Sequence, residues 1–129
     1  MRVRKLLGAI FLCCCGSVLA QPVTDEQIEA LYDRLGAMVR ITHDLAGSCL
    51  RNIEKDLNHD SCQRTNVASK HAQSFVRENP ALFDDSALER YLERIGAEGR
   101  ARYHMSMALL SETNDRIDQI KEYRSMFGN

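Results

Sequence analysis

The most reactive side chains in this sequence belong to five cysteines, four histidines and a short His104-Met105-Ser106-Met107 run. Thioethers beside an imidazole suit a soft ion such as copper(I), so His104, Met105 and Met107 are the residues to weigh for metal binding. On a helix, positions 105 and 107 point about 200° apart and cannot share one ion without unwinding it. The simpler reading makes both methionines core fillers. His43-Asp44, His59-Asp60 and His71 are scattered, with no HExxH-like spacing to build a zinc site, and His71 reads as a half-buried packing residue on an apolar face. No serine sits in a G-x-S-x-G elbow, and there is no glycine-rich phosphate loop. Arg34, Arg40, Arg51 and Lys55 could gather around an anionic substrate, although charges spaced along a helix are ordinarily a solvated face. The residues therefore assign no catalytic group, metal ligand or cofactor, and the expectation is a protein that is not an enzyme.

The start of the chain has the form of an address. Arg2, Arg4 and Lys5 precede an uncharged, mostly apolar run from Leu6 to Val18, and Val18-Leu19-Ala20 places small residues before Gln21-Pro22. Positive start, apolar stretch and small-residue cleavage site make the three-part pattern of a secretory signal peptide over residues 1–20. The apolar run is shorter than the roughly 20 residues that span a bilayer. Leu12-Cys13-Cys14-Cys15 also resembles a bacterial lipoprotein signal, in which a Leu lies three places before a lipidated Cys, and this makes Cys15 a candidate for lipidation. Cys13 and Cys14 stand where that pattern usually has smaller residues. Loss of residues 1–20 removes Arg2, Arg4 and Lys5 and no acid, so the formal charge moves from −1 to −4. Such a balance argues against binding nucleic acid or anionic lipid by charge. It suits a periplasmic or secreted protein, tethered to a membrane only if lipidated.

Cys49 and Cys62 are the two cysteines beyond that leader. In an oxidising compartment two thiols read as one disulfide. They are not spaced as a C-x-x-C redox pair, and zinc would need further ligands nearby. A crosslink closing this 14-residue loop is worth roughly 3 kcal/mol through the unfolded chain.

What must position these residues is a set of helices forming one domain over 21–129. At 129 residues, 44 % hydrophobic and 27 % charged, the chain is too short for two ordinary domains and too apolar for a disordered tail. Its two prolines, seven glycines and few β-branched runs do not suit a many-stranded fold. Thr24-Asp25-Glu26-Gln27 is a capping box. Ile28, Leu31, Leu35, Met38 and Leu45 then form a seam that leads to Cys49. Gly47-Ser48 is expected to end one helix and cap the next, whose stripe is Leu50, Ile53 and Leu57. Asn58 to Ser61 is a turn with Asp60 or Ser61 as N-cap. If the helix reaches Leu57, the turn can bring Cys62 back beside Cys49. Val67, Ala68, His71, Ala72, Phe75 and Val76 form a further face, stopped by Asn79-Pro80. Asp84-Asp85-Ser86 starts the next helix, Gly96 to Gly99 loosens the chain, and a last helix carries Tyr103, Met107, Leu110, Ile117 and Ile120, with Glu112 and Arg116 paired four apart. The expected fold is all-α: a small antiparallel bundle of four to five helices with one disulfide.

Val23-Thr24-Asp25-Glu26-Gln27 resembles the L-T-x-x-Q motif of small periplasmic stress chaperones of the Spy and CpxP kind. A second copy is expected in that family. Here Leu110-Ser111-Glu112-Thr113-Asn114 has the shape L-S-x-x-N, with both defining polar residues replaced. The resemblance implies a helical cradle that holds unfolded clients. The leading expectation is instead a small exported helical protein that acts by binding another protein, as an inhibitor, immunity protein or assembly accessory. A Spy-like chaperone is the alternative, and a metal- or ligand-binding bundle comes after it.

Overall fold

Three apolar clusters strung along one helix organise the molecule. The computed structural model describes residues 23–128. The signal peptide predicted over 1–20 and the lipidation candidate Cys15 lie outside the described residues. The elements are α1 (Asp25–Asn52), α2 (Asp60–Glu78), a 3₁₀ turn (Pro80–Phe83) and α3 (Asp85–Phe127), with no strand among the described residues. There are thus three α-helices, where the sequence predicts four or five. None of the three is long and apolar enough to cross a membrane.

The capping box predicted at Thr24 starts α1: the Thr24 hydroxyl accepts from the Gln27 amide, and the Gln27 side chain accepts from the Thr24 amide. The helix then continues through Gly47-Ser48. Gly47 is buried, and a Cβ there would stand 2.5 Å from Nη1 of Arg116 on α3. The glycine admits a neighbouring side chain and does not stop the helix. The buried face runs Ile28, Tyr32, Leu35, Val39, Thr42, Ala46, Cys49 and, just past the helix end, Ile53. Its alternating steps of four and three are the repeat that keeps one stripe against neighbouring helices. Leu31, Met38 and Leu45, predicted on the seam, flank it half-buried.

The helix ends at Asn52 rather than Leu57. The Asn52 side chain donates to the Ser48 carbonyl, and the Ile53 amide bonds to Cys49. The chain then turns, and α2 is capped by His59, whose Nδ1 accepts from the Ser61 amide. Asp60 and Ser61, the predicted caps, are the first residues inside the helix. The corner brings Cys49 and Cys62 into a disulfide with Cα atoms 4.6 Å apart, buried with Ala46, Ile53 and Ile120. Further along, Phe75 of α2 packs with Leu35 and Val39 of α1. His71, predicted half-buried, is exposed, as is Val67. The buried residues of α2 are Ser61, Cys62, Thr65 and Phe75.

Asn79 and Pro80 end α2, and Asp84 caps α3 by accepting from the amides of Ser86 and Ala87. As the sequence predicts, the chain loosens at Gly96: α3 is two helical stretches joined across a kink there, with φ 71° and ψ −174°, a backbone state essentially reserved for glycine. Contacts with α1 advance together along both helices. Asp25 meets Arg90 and Arg94, Arg116 donates to the His43 carbonyl, and Arg124 to the carbonyl of Leu57. Both α2 and α3 pack on α1, while their backbones scarcely approach one another.

Candidate binding groove

Because α2 and α3 each lean on α1 and not on one another, a trough of about 510 Å³ opens between them. Its floor is the middle of the α1 seam: Tyr32, Leu35, Val39 and Thr42. One wall, from α2, carries small and slender residues, chiefly Ser69, Ala72 and Val76. The opposite wall is the α3 stripe Tyr103, Met107, Leu110, Asn114 and Ile117. Leu82 and Phe83 of the 3₁₀ turn, with Leu88, close one end, and Phe83 is 70 % exposed there. Arg77 is the one charged residue in the lining.

The two threonine hydroxyls in the trough are already engaged. Thr42 donates to the Met38 carbonyl and Thr113 to that of Leu109. Both turn back on their own helices and leave methyl groups to the space, so the trough is more apolar than its composition suggests. Tyr32 anchors the closed end. It stacks on Tyr91 at 4.7 Å, meets Tyr103 edge-on at 5.7 Å and donates its hydroxyl hydrogen bond to the Leu82 carbonyl. Burial, and then the neighbouring Tyr103, Tyr91 and Asp85, push the Tyr32 phenol up to about 12. Burial also raises Tyr91, with Asp33 and Glu29 adding to the effect.

A second hollow, about 490 Å³, lies between α1 and α3 and contains Glu29, Asp33, Arg40 and Arg102. Its charges offset one another, which leaves no net attraction for an anion. Beyond it, the His43 ring is 3.4 Å from both Asp44 and Glu112, and Arg116 pairs with Glu112 at 2.9 Å. The close approach of the His43 ring, and then the charge of Arg116, hold the Glu112 carboxyl below its ordinary range. The arrangement ties α3 to α1.

The residues weighed for chemistry are dispersed. Cys49 and Cys62 are joined, as predicted. Met105 is 72 % exposed, His104 is exposed with its ring edge-on to Tyr103, and Met107 is half-buried in the trough wall. His59 caps α2, and His71 faces outward. Among the described residues no group of three or more His, Cys, Asp and Glu is placed to hold a metal ion. Arg34 lies over the Phe75 ring at 5.2 Å, Arg40 lines the second hollow, and Arg51 and Lys55 are exposed near the disulfide corner, so the four do not converge. The trough was not predicted. Its walls were recognisable as helix faces, and the unbroken four-three spacing from Ile28 to Ile53 was readable once Tyr32, Thr42 and Ala46 are admitted to the stripe. No protein-family model, curated protein or solved structure matches the chain.

Proposed function

We propose that this is a small exported helical protein, clasped by the Cys49–Cys62 bridge, that acts by binding another protein in the trough between α2 and α3. Inhibition, immunity against a toxic effector and help in assembly are all roles of this kind. Export rests on the leader-like residues 1–20, with the periplasm or the exterior as destination. The observation that carries the binding role is the open trough. A chain of this size ordinarily closes its apolar stripes on one another, whereas here Val76, Leu88, Met107 and Leu110 surround open space with Phe83 at its mouth. Open apolar surface rimmed by polar residues marks interaction sites. The negative balance beyond the leader disfavours nucleic acid.

The full chain, tagged at its C-terminus and recovered from the cell envelope, tests the proposal when compared with Ala72→Phe, which fills the trough from the α2 wall. The expected result is one stoichiometric protein partner for the unaltered chain, its capture falling at least about ten-fold in the variant while helix content is unchanged. Absence of a stoichiometric partner, or equal capture by Ala72→Phe, overturns it. Suppressed aggregation of a denatured client without any stoichiometric partner would move the assignment to the Spy-like chaperone.

A further inference from the structure

We infer that the partner seats an amphipathic α-helix of three to four turns in the trough, with a carboxylate near the Phe83 end that pairs with Arg77. The inference rests on the protein-binding role proposed above and names the chemistry of the partner.

The period of the walls selects a helix. Tyr103, Met107, Leu110, Asn114 and Ile117 follow one another at steps of four, three, four and three. The α1 floor and the Ser69-Ala72-Val76 wall keep the same repeat. Surfaces with a repeat of 3.5 residues offer holes to the side chains of another helix, whereas an extended strand, repeating every two residues, falls out of register within a turn. The slender α2 wall leaves those holes open. From Tyr103 to Ile117 the wall is about 21 Å long at 1.5 Å per residue, which sets the three to four turns.

The charge selects the end group. Among the described residues no carboxylate lies within ion-pairing distance of Arg77, whose guanidinium reaches only the Ser74 hydroxyl, at 3.3 Å. A planar cation at the edge of an otherwise uncharged apolar trough is complementary to a carboxylate. Asn114 stands within the apolar stripe toward the other end, and a single amide in such a stripe favours one register of the incoming helix.

The test is calorimetric titration of the full, C-terminally tagged chain with two synthetic helical peptides of 18 residues. Both carry leucines at three-four spacing, and they differ only in a Glu or a Lys at one end of the stripe. The unaltered protein is expected to bind the Glu peptide about ten-fold more tightly, and Arg77→Glu to reverse the order. Arg77 is exposed with one side-chain hydrogen bond, so the fold should withstand the change, and circular dichroism checks this. Equal binding of the two peptides, an order unaffected by Arg77→Glu, or binding of neither overturns the inference. Sensitivity of partner capture to Ala72→Phe would in each case leave the protein-binding role standing. Sedimentation showing a dimer that Ala72→Phe dissociates would also overturn it, by giving the trough to a second copy of the chain.

Discussion

Tyr32 shows how one side chain serves both core and groove. Its ring belongs to the core with Ile28, Ala87 and Tyr91, its edge forms part of the trough floor, and its hydroxyl holds the 3₁₀ turn through Leu82. Losing that hydrogen bond in Tyr32→Phe should cost about 1 kcal/mol at neutral pH, measured by urea denaturation. A second effect appears in alkali. The folded protein holds the phenolic proton more tightly than the unfolded chain does. The resulting stabilisation is complete below the ordinary tyrosine pKa of 10 and is lost as pH rises from there toward about 12. Stability of the unaltered protein should fall through this window, and Tyr32→Phe should fall less steeply. Sequence alone places Tyr32 near an apolar stripe, but neither its hydrogen bond nor its aromatic neighbours are legible, because all of them come from residues at least 50 positions away.

At the scale of elements, the glycines behave in two ways that the sequence does not distinguish. Gly47 is helical and makes room for Arg116, whereas Gly96 has left the helical region. Nothing lies within 4 Å of where a Cβ would sit at Gly96, so the penalty for Gly96→Ala is conformational. That substitution should destabilise the protein by about 1–3 kcal/mol and reduce partner capture, since the bend sets the angle at which the 97–127 arm forms the trough wall. Chemical denaturation and the capture assay read the two effects separately. Helix starts were more legible. The box at Thr24 appears in the structure with both reciprocal hydrogen bonds, because its partners lie within one turn. Thr24→Ala should therefore cost about 1 kcal/mol, seen as a lower urea midpoint with an unchanged slope. The cap of α2 was misplaced by one or two residues because an imidazole, not Asp60 or Ser61, supplies the acceptor.

For the whole molecule, α1 is the axis on which the other helices lean, and the disulfide is the only covalent crosslink between side chains among the described residues. The bridge closes the corner between α1 and α2 and leaves α3 to be held by packing and exposed ion pairs. Arg94, for example, reaches Asp25, Glu26 and Glu29 at 3.5–3.8 Å, with all four side chains at least 42 % exposed. Such pairs orient more than they stabilise. Reduction, or replacement of Cys49 and Cys62 together by alanine, should cost about 3 kcal/mol, measured as the loss of unfolding free energy relative to the oxidised protein. Placing the corner correctly did not require the right helix end. Whether α1 stops at Asn52 or Leu57, a turn of this length lets Cys62 return to Cys49, whose Cα is 4.6 Å away.

By itself the sequence determined the helical class, the Cys49–Cys62 bridge, the cap at Thr24, the stop at Asn79-Pro80 and the start of α3 at Asp84. These are short-range matters of backbone preference, capping and cysteine arithmetic, settled within a few residues. Only the tertiary structure decided that Gly47 would be spanned, and that α2 and α3 would stand apart. Those outcomes depend on which faces meet across the molecule. An apolar stripe looks the same in sequence whether it closes on a neighbour or borders a groove, because periodicity gives the direction a face points and not the distance to whatever lies opposite.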